Sequence, residues 1–343
     1  MKLAGLTLTS FLFKNSALSK PVRPYFSKIS SKAEMNNYSP PYLELHRRGI
    51  LKERAEILKS MMHRCNLCPR TCETNRLRGR QGDCHARDRA EIATVAPHFG
   101  EEDELVGKNG SGTIFFTNCS LLCVFCINSG ISQKGQGREI SDDSLARAML
   151  KIQELGCHNL NLVTPTHYSP HILNALDIAA GKGLRLPVVY NTSGWERMDI
   201  LQLLDGVVDI YLADFKYFHA DSADKYSPGA SSYPDVARDA IIEMNRQVGV
   251  AYPDSAEGLI NRGLMIRHLV MPNNICGSDQ IMHWIGENLP KETYVNIMSQ
   301  YMPAFKADKY PQINRRITKA EYHRVIQAAR DAGLRRAFGQ SGQ

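Results

Sequence analysis

The sequence predicts an α/β protein whose body is a partial (β/α)6 TIM-like barrel, preceded by a cysteine-rich segment. Apolar, β-rich runs alternate with helical stretches six times after Gly110, and seven of the nine cysteines fall between Cys65 and Cys126. The composition is that of a globular chain, 43% apolar and 22% charged over 343 residues, which excludes disorder as the main state. Strict β-then-α order implies parallel strands with right-handed crossovers, because parallel neighbours need a long return connection. Six repeats fall short of the eight that complete a closed barrel, so the sheet is expected to be open or partial.

The chain begins with a leader-like stretch. Of its net charge of +7, six units sit in residues 1–32 as Lys2, Lys14, Lys20, Arg23, Lys28 and Lys32, with no Asp or Glu among them. Acid-free, serine-bearing and loosely amphipathic through Leu6, Leu12, Phe13 and Leu18, this stretch has the composition of an organellar transit peptide. A mitochondrial destination is expected, with the cytoplasm as the alternative. The remainder is nearly neutral, which points away from nucleic acid as a partner. No apolar run approaches the roughly 20 residues of a spanning helix, so no membrane role is expected.

Residues 33–100 are read as an N-terminal helix and a cysteine-rich module, and residues 101–340 as the partial barrel. The helix covers about 46–63, where Ile50, Leu51, Ala55, Leu58, Met61 and Met62 recur at near-helical spacing. The six units follow as strands 112–119, 159–166, 186–192, 208–215, 264–271 and 294–298, with helices 141–155, 172–182, 198–204, 236–248, 280–287 and 320–332. Ser141 and Thr318 stand where helix caps belong. Function in such folds gathers at the carboxyl ends of the strands.

Cys119, Cys123 and Cys126 lie where the first parallel strand ends, with three and two residues between them. Three thiolates leave one corner of a [4Fe-4S] cube free for a small molecule, whereas a purely structural site closes its fourth position. Thiolate is also the soft ligand such iron requires. A zinc knuckle or an incidental loop of buried cysteines is the plainer alternative.

This C-x3-C-x2-C loop, with Phe125 before its last cysteine, resembles the cluster loop of the radical S-adenosylmethionine superfamily. Further along, 96–102, 110–116, 161–168, 190–195 and 209–217 look like an uncharacterised branch related to the pyruvate formate-lyase-activating enzyme. The resemblance covers about residues 63–305. It implies a partial six-unit barrel and an open iron that chelates the amino and carboxylate groups of S-adenosylmethionine. Reductive cleavage then gives a 5′-deoxyadenosyl radical that abstracts hydrogen from a substrate, in the most specific case a glycine of a partner protein. An electron donor of flavodoxin or ferredoxin type is implied as a partner.

By the same resemblance Phe125 packs near the adenine. Thr164 and Thr166 stand where the superfamily often carries Gly-Gly-Glu; Asn191, Thr192, Asp214 and Lys216 match positions near the cofactor or a monovalent cation, and Arg267 is a similar candidate for the cofactor carboxylate, the alternative for each being a capped or salt-bridged structural residue. Where the activating enzymes tend to place a histidine after the sixth strand, this chain has Gln300 and Tyr301.

The first cysteine group, Cys65, Cys68, Cys72 and Cys84, has enough thiols to close a zinc site or to hold a second iron–sulfur cluster, and spacing does not choose between them. His63 and His85 are neighbouring substitutes, and buried free thiols are the metal-free alternative. Arg70, Arg76, Arg78 and Arg80 within the segment read as a phosphate clamp or, more plainly, as a solvated positive face. Cys157 and Cys276 read as ordinary thiols, and His167, at a strand end, as the histidine best placed for a site. No Walker A, G-x-G-x-x-G or G-x-S-x-G element occurs. A non-catalytic iron–sulfur or zinc carrier is the competing function.

Overall fold

The computed structural model describes residues 38–254 and 257–339; the expected leader, 1–32, lies outside the described residues. In chain order the elements are α1 (Tyr42–Arg47), α2 (Ile50–Ser60), β1 (Ala90–His98), α3 (Asp103–Val106), β2 (Ser111–Phe116), α4 (Ser129–Ser132) and β3 (Arg138–Ile140). Then come α5 (Asp142–Glu154), β4 (Leu160–Val163), α6 (Ser169–Gly181), β5 (Val188–Thr192), α7 (Met198–Leu204), β6 (Ile210–Asp214), α8 (Ala220–Tyr226) and α9 (Tyr233–Val248). The chain closes with β7 (Gly263–Leu269), α10 (Ser278–Asn288), β8 (Tyr294–Met298), α11 (Lys319–Asp331) and β9 (Ala337–Gly339).

The nine strands form a mixed but mostly parallel sheet in the order β3-β1-β2-β4-β5-β6-β7-β8-β9. From β2 onward every pair is parallel, while β1 runs antiparallel to both β2 and β3. The six expected strands are β2 and β4 to β8. Four of them, β2, β4, β6 and β7, stop sooner than expected, the first two by three residues each, because the chain turns out of the extended region at Asn118 (φ +67°) and Thr164 (φ +61°). Strands β1, β3 and β9 are additional; β3 and β9 have three residues each, too short to show a period-two pattern. The helix expected over 46–63 is instead α1 and α2, parted at Gly49, whose φ of +72° suits glycine.

Period-two alternation gives the sheet two different faces. One face, with Leu160, Leu162, Val188, Tyr190, Tyr211, Ala213, Leu264, Ile266, Val295 and Ile297, packs under the helices in the main core. Helix α5 follows this logic: Ser141 caps it by accepting from the Ser144 backbone N–H at 3.3 Å, and Leu145, Ala146, Met149 and Ile152 form its buried stripe. The opposite face carries Val189, Ile210, Leu212, Met265 and Tyr294, which join Leu105, Ala251 and Ile260 in a second, smaller cluster. Leu105 arrives on the segment between β1 and β2, so that segment plugs the second face near the amino ends of its strands. The same face continues toward the carboxyl ends as Asn191, Asp214, Arg267, Asn296 and Met298, and there it turns polar. Among the described residues no helix is long and apolar enough to cross a membrane.

Candidate functional site

A cavity of about 290 Å³ opens at the carboxyl ends of β4 to β8. Cys119, Cys123, Phe125 and Cys126 form one wall, and Thr164, Asn191, Thr192, Asp214, Lys216 and Arg267 line the strand ends opposite. Of the candidate cofactor residues only Thr166 is absent from the lining. Its hydroxyl donates to Glu196 Oε1 at 2.5 Å, away from the cavity, and Thr192 donates to the same oxygen.

The triplet loop is held by backbone contacts from several elements. Val124 N–H donates to the Tyr226 carbonyl at 2.9 Å, Lys306 N–H to the Val124 carbonyl at 2.9 Å, and Asn118 N–H to the Ile131 carbonyl at 3.0 Å. Two non-glycine residues, Asn118 (φ +67°) and Leu122 (φ +57°), take left-handed conformations around Cys119 and so turn the thiols toward one cavity. Ser227 Oγ donates to Cys123 Sγ at 3.2 Å, and Cys126 Sγ lies 3.1 Å from Ser132 Oγ. Burial pushes the Cys123 thiol up to about 12, against the pull of the nearby Lys216 ammonium, and raises Cys119 as well. Among the described residues no three His, Cys, Asp or Glu side chains form a group able to hold a metal as they stand. Phe125 meets Tyr217 and Tyr301 edge to face, with ring centres 6.5 and 5.9 Å apart.

Arg267 is the hub of the floor. Its Nε donates to Asp214 Oδ1 at 3.0 Å, Nη1 to Glu101 Oε2 at 3.2 Å and Nη2 to Asn191 Oδ1 at 2.6 Å. Lys216 Nζ meets the other Asp214 oxygen at 2.7 Å. Burial alone would discharge this layer, but the partners outweigh it: Lys216 and Arg267 hold the Asp214 carboxyl below its usual range, and Asp214 keeps Lys216 charged. Burial raises the Glu101 carboxyl, and Arg267 partly offsets this. With three of its five N–H groups occupied, Arg267 is fixed in orientation and retains one free donor on each terminal nitrogen.

Sequence reasoning missed two acids here. Glu101 reaches the floor from the plug segment, whose neighbour Glu102 accepts from Asn296 Nδ2 at 2.9 Å and whose Glu104 accepts from the Tyr294 hydroxyl at 2.9 Å. The acidic run 101–104 was the available signal. Glu196 is 1% exposed and is pushed up to about 7 by burial, despite the two threonine hydroxyls that favour its charged form. Nothing in its local sequence marks it.

In the first cysteine group the fold brings Cys72 and Cys84 close to one another. A Cβ added at Gly82 would lie 3.4 Å from Cys72 Sγ and 3.6 Å from Cys84 Sγ, so the chain folds tightly over these two thiols. Cys65, Cys68 and Cys84 are buried. Burial, and next the neighbouring Cys84, raise the Cys68 thiol. Burial acts on Cys72 too, but hydrogen bonds from Thr74 and Asp83 hold it below the usual thiol range. His63 is exposed, and His85 Nδ1 is turned to the Gln133 carbonyl at 3.2 Å. His167 sits under the sheet end with Nε2 2.8 Å from the Thr117 carbonyl, pushed down to about 3 by burial and then by Arg76, and it does not line the cavity. Arg78 and Arg80 are exposed, as a solvated positive face requires, whereas Arg70 and Arg76 are turned inward and both guanidinium groups bond backbone carbonyls.

An uncharacterised protein of the archaeon Methanocaldococcus jannaschii is 31% identical over 317 residues, spanning 90% of this chain and 86% of its own length. The chain belongs to that protein's family. No model of a known protein family matches it. The aligned span is long enough to take in both cysteine groups and the strands that line the cavity in this chain.

Proposed function

We propose that this member of the family is a radical S-adenosylmethionine enzyme, with β2 and β4 to β8 forming a partial six-unit barrel around the cavity. The observation that carries the reading is that three thiols of a C-x3-C-x2-C loop share one cavity with Asp214, Lys216 and Arg267 at consecutive strand ends. The donor set suits a [4Fe-4S] cluster with one iron open: three soft ligands on a single loop, with a lysine ammonium that favours the thiolate forms of Cys119 and Cys123. When bound, the cluster supplies an electron to the sulfonium of S-adenosylmethionine and so provides a 5′-deoxyadenosyl radical for hydrogen abstraction.

The chain's own residues do the remainder. Arg267 offers its two free N–H groups to the cofactor carboxylate, with Asp214, Glu101 and Asn191 fixing its plane. Thr164, Asn191 and Thr192 supply polar atoms around the amino group. Phe125, set edge-on against Tyr217 and Tyr301, gives a flat apolar wall for the adenine and keeps water from it. The cavity, at the small end of the roughly 300–1,000 Å³ range of ligand sites, suits one nucleoside-sized molecule, so the hydrogen donor must reach it from the mouth. There Ile127 and Met302 are 68% and 45% exposed, an apolar rim that suits a protein segment, as a glycyl-radical activase requires.

A flavodoxin- or ferredoxin-like donor would supply the electron, and the first cysteine group would hold a second cluster or a zinc ion. Residues 1–32 would direct the chain to mitochondria. Anaerobic reconstitution with iron and sulfide tests the cluster: Cys126→Ala should lose about four irons per chain relative to wild type. Iron content that is independent of Cys126 would instead favour a non-catalytic carrier.

A further inference from the structure

The segment carrying the first cysteine group reaches the triplet loop by three routes, directly through Arg70 and by way of one intermediate pair or residue through Arg76 and His85. Arg70, between Cys68 and Cys72, donates through Nε to the Ser120 carbonyl, and through Nη2 to the carbonyls of Leu121 at 3.3 Å and Pro228 at 2.8 Å. Ser120 and Leu121 lie between Cys119 and Cys123. The guanidinium of Arg70 also stands 5.5 Å from the centre of the Trp195 ring, and a Cβ on Gly229 would come within 2.8 Å of its Nη1, so it has little room to move.

Arg76, fully buried, donates to the His167 carbonyl at 2.8 Å, lies 3.9 Å from Cys65 Sγ and stands 5.8 Å from the Tyr168 ring centre. His167 and Tyr168 in turn bond the Thr117 carbonyl and the Asn118 amide, the two residues before Cys119. His85, next to Cys84, donates to the Gln133 carbonyl, and the Gln133 side chain donates to the Cys123 carbonyl at 3.2 Å.

We propose that the first cysteine group is a structural metal centre that shapes the triplet loop, with Arg70 as the positioning residue through which it acts. The inference rests on the reading that both cysteine groups bind metal. The segment is loop-rich and takes positive φ at Thr71, Glu73 and His85; Thr71 N–H on the Cys68 carbonyl at 3.0 Å and Glu73 N–H on the Cys65 carbonyl at 2.9 Å close the turn from which Arg70 projects, and a cross-link between its thiols would tie that turn to Cys84. A metal on the four thiolates fixes that turn. Arg70 then holds the carbonyls of Ser120 and Leu121 on the side away from the cavity, and the thiols on either side of them face inward. Lysine cannot replace it, because one ammonium on a flexible stem does not span three carbonyls as a planar fork does.

The full chain, reconstituted anaerobically with iron and sulfide in the presence of zinc, provides the test. Triplet iron is defined as the iron that Cys126→Ala removes, and its absence from wild type would be a failure of the enzyme reading, seen separately. Arg70→Ala and Arg70→Lys should keep the metal of the first group, lose more than half of the triplet iron, and shift the electron paramagnetic resonance that the remaining cluster gives after reduction with dithionite. Cys68→Ser with Cys72→Ser should lose both metals. Full triplet iron with an unchanged resonance in Arg70→Lys would overturn the proposal. So would full triplet iron in the double cysteine variant. Loss of both metals in Arg70→Lys with a collapsed melting transition would also overturn it, by making Arg70 a general fold residue. Whether zinc or a second set of irons disappears with Cys68 and Cys72 identifies the metal of the first centre.

Discussion

Arg267 shows how one side chain gains meaning from the three that hold it. A guanidinium bonded to Asp214, Glu101 and Asn191 cannot turn away from the cavity, and its remaining donors are prepared before any ligand arrives. A charge-assisted hydrogen bond is worth about 1.5–3 kcal/mol, so Arg267→Ala should weaken S-adenosylmethionine binding by roughly 10- to 100-fold, as measured by titration of the reconstituted protein. Affinity equal to wild type would place the carboxylate elsewhere. Asp214, Lys216 and Arg267 are legible through the family resemblance, the first two where an apolar run ends and Arg267 inside one. Glu101 is hidden, because it precedes β2 by ten residues and only the folded plug brings it to β7. Thr164 and Thr166 look equivalent in the sequence, yet the positive φ at Thr164 directs one to the cavity and the other to Glu196.

At the scale of elements, parallel strands buried on both faces write themselves as continuous apolar runs, which is why β5, β6 and β8 stand close to where periodicity puts them. Elements whose burial depends on partners are less legible. Strand β1 follows the cysteines and looks like their tail until its pairing with β2 is known. Close packing of strand on helix can be tested at Gly112, where an added Cβ would sit 2.0 Å from Ile152 Cγ2 and 2.7 Å from the Asn159 carbonyl oxygen. Gly112→Ala should therefore destabilise the fold by about 1–3 kcal/mol in a denaturant titration, through overpacking between β2 and α5. At α11, Thr318 and Glu321 form a reciprocal capping box, and Thr318→Ala should cost about 1 kcal/mol in the same measurement. No loss at either position would mean that these elements yield more easily than their contacts indicate.

Over the whole molecule, the buried carboxyls give stability a pH dependence. Asp209, which accepts from the Tyr38 hydroxyl at 2.5 Å and from Val188 N–H at 2.7 Å, is pushed up to about 7 by burial. Unfolded, an aspartate titrates near 3.9, so between these values the folded chain holds a proton that the unfolded chain has released. The contribution is most favourable below the lower value and declines as pH rises toward 7, by up to about 1.4 kcal/mol per pH unit. Asp209→Asn should remove that decline, so its stability relative to wild type should improve between pH 5 and pH 8. A constant difference across that range would show that Asp209 is charged in the folded state. The α/β alternation and the triplet were legible along the chain, whereas the contact between the two cysteine groups, made by arginines that look like surface charge, was not. The central claim is that the cavity beside the triplet is a site of radical chemistry. Its most direct test is anaerobic incubation of the reconstituted protein with dithionite and S-adenosylmethionine, followed by assay of 5′-deoxyadenosine. Wild type should form it and Cys126→Ala should not, whereas equal amounts from both proteins, or none from either, would contradict the account.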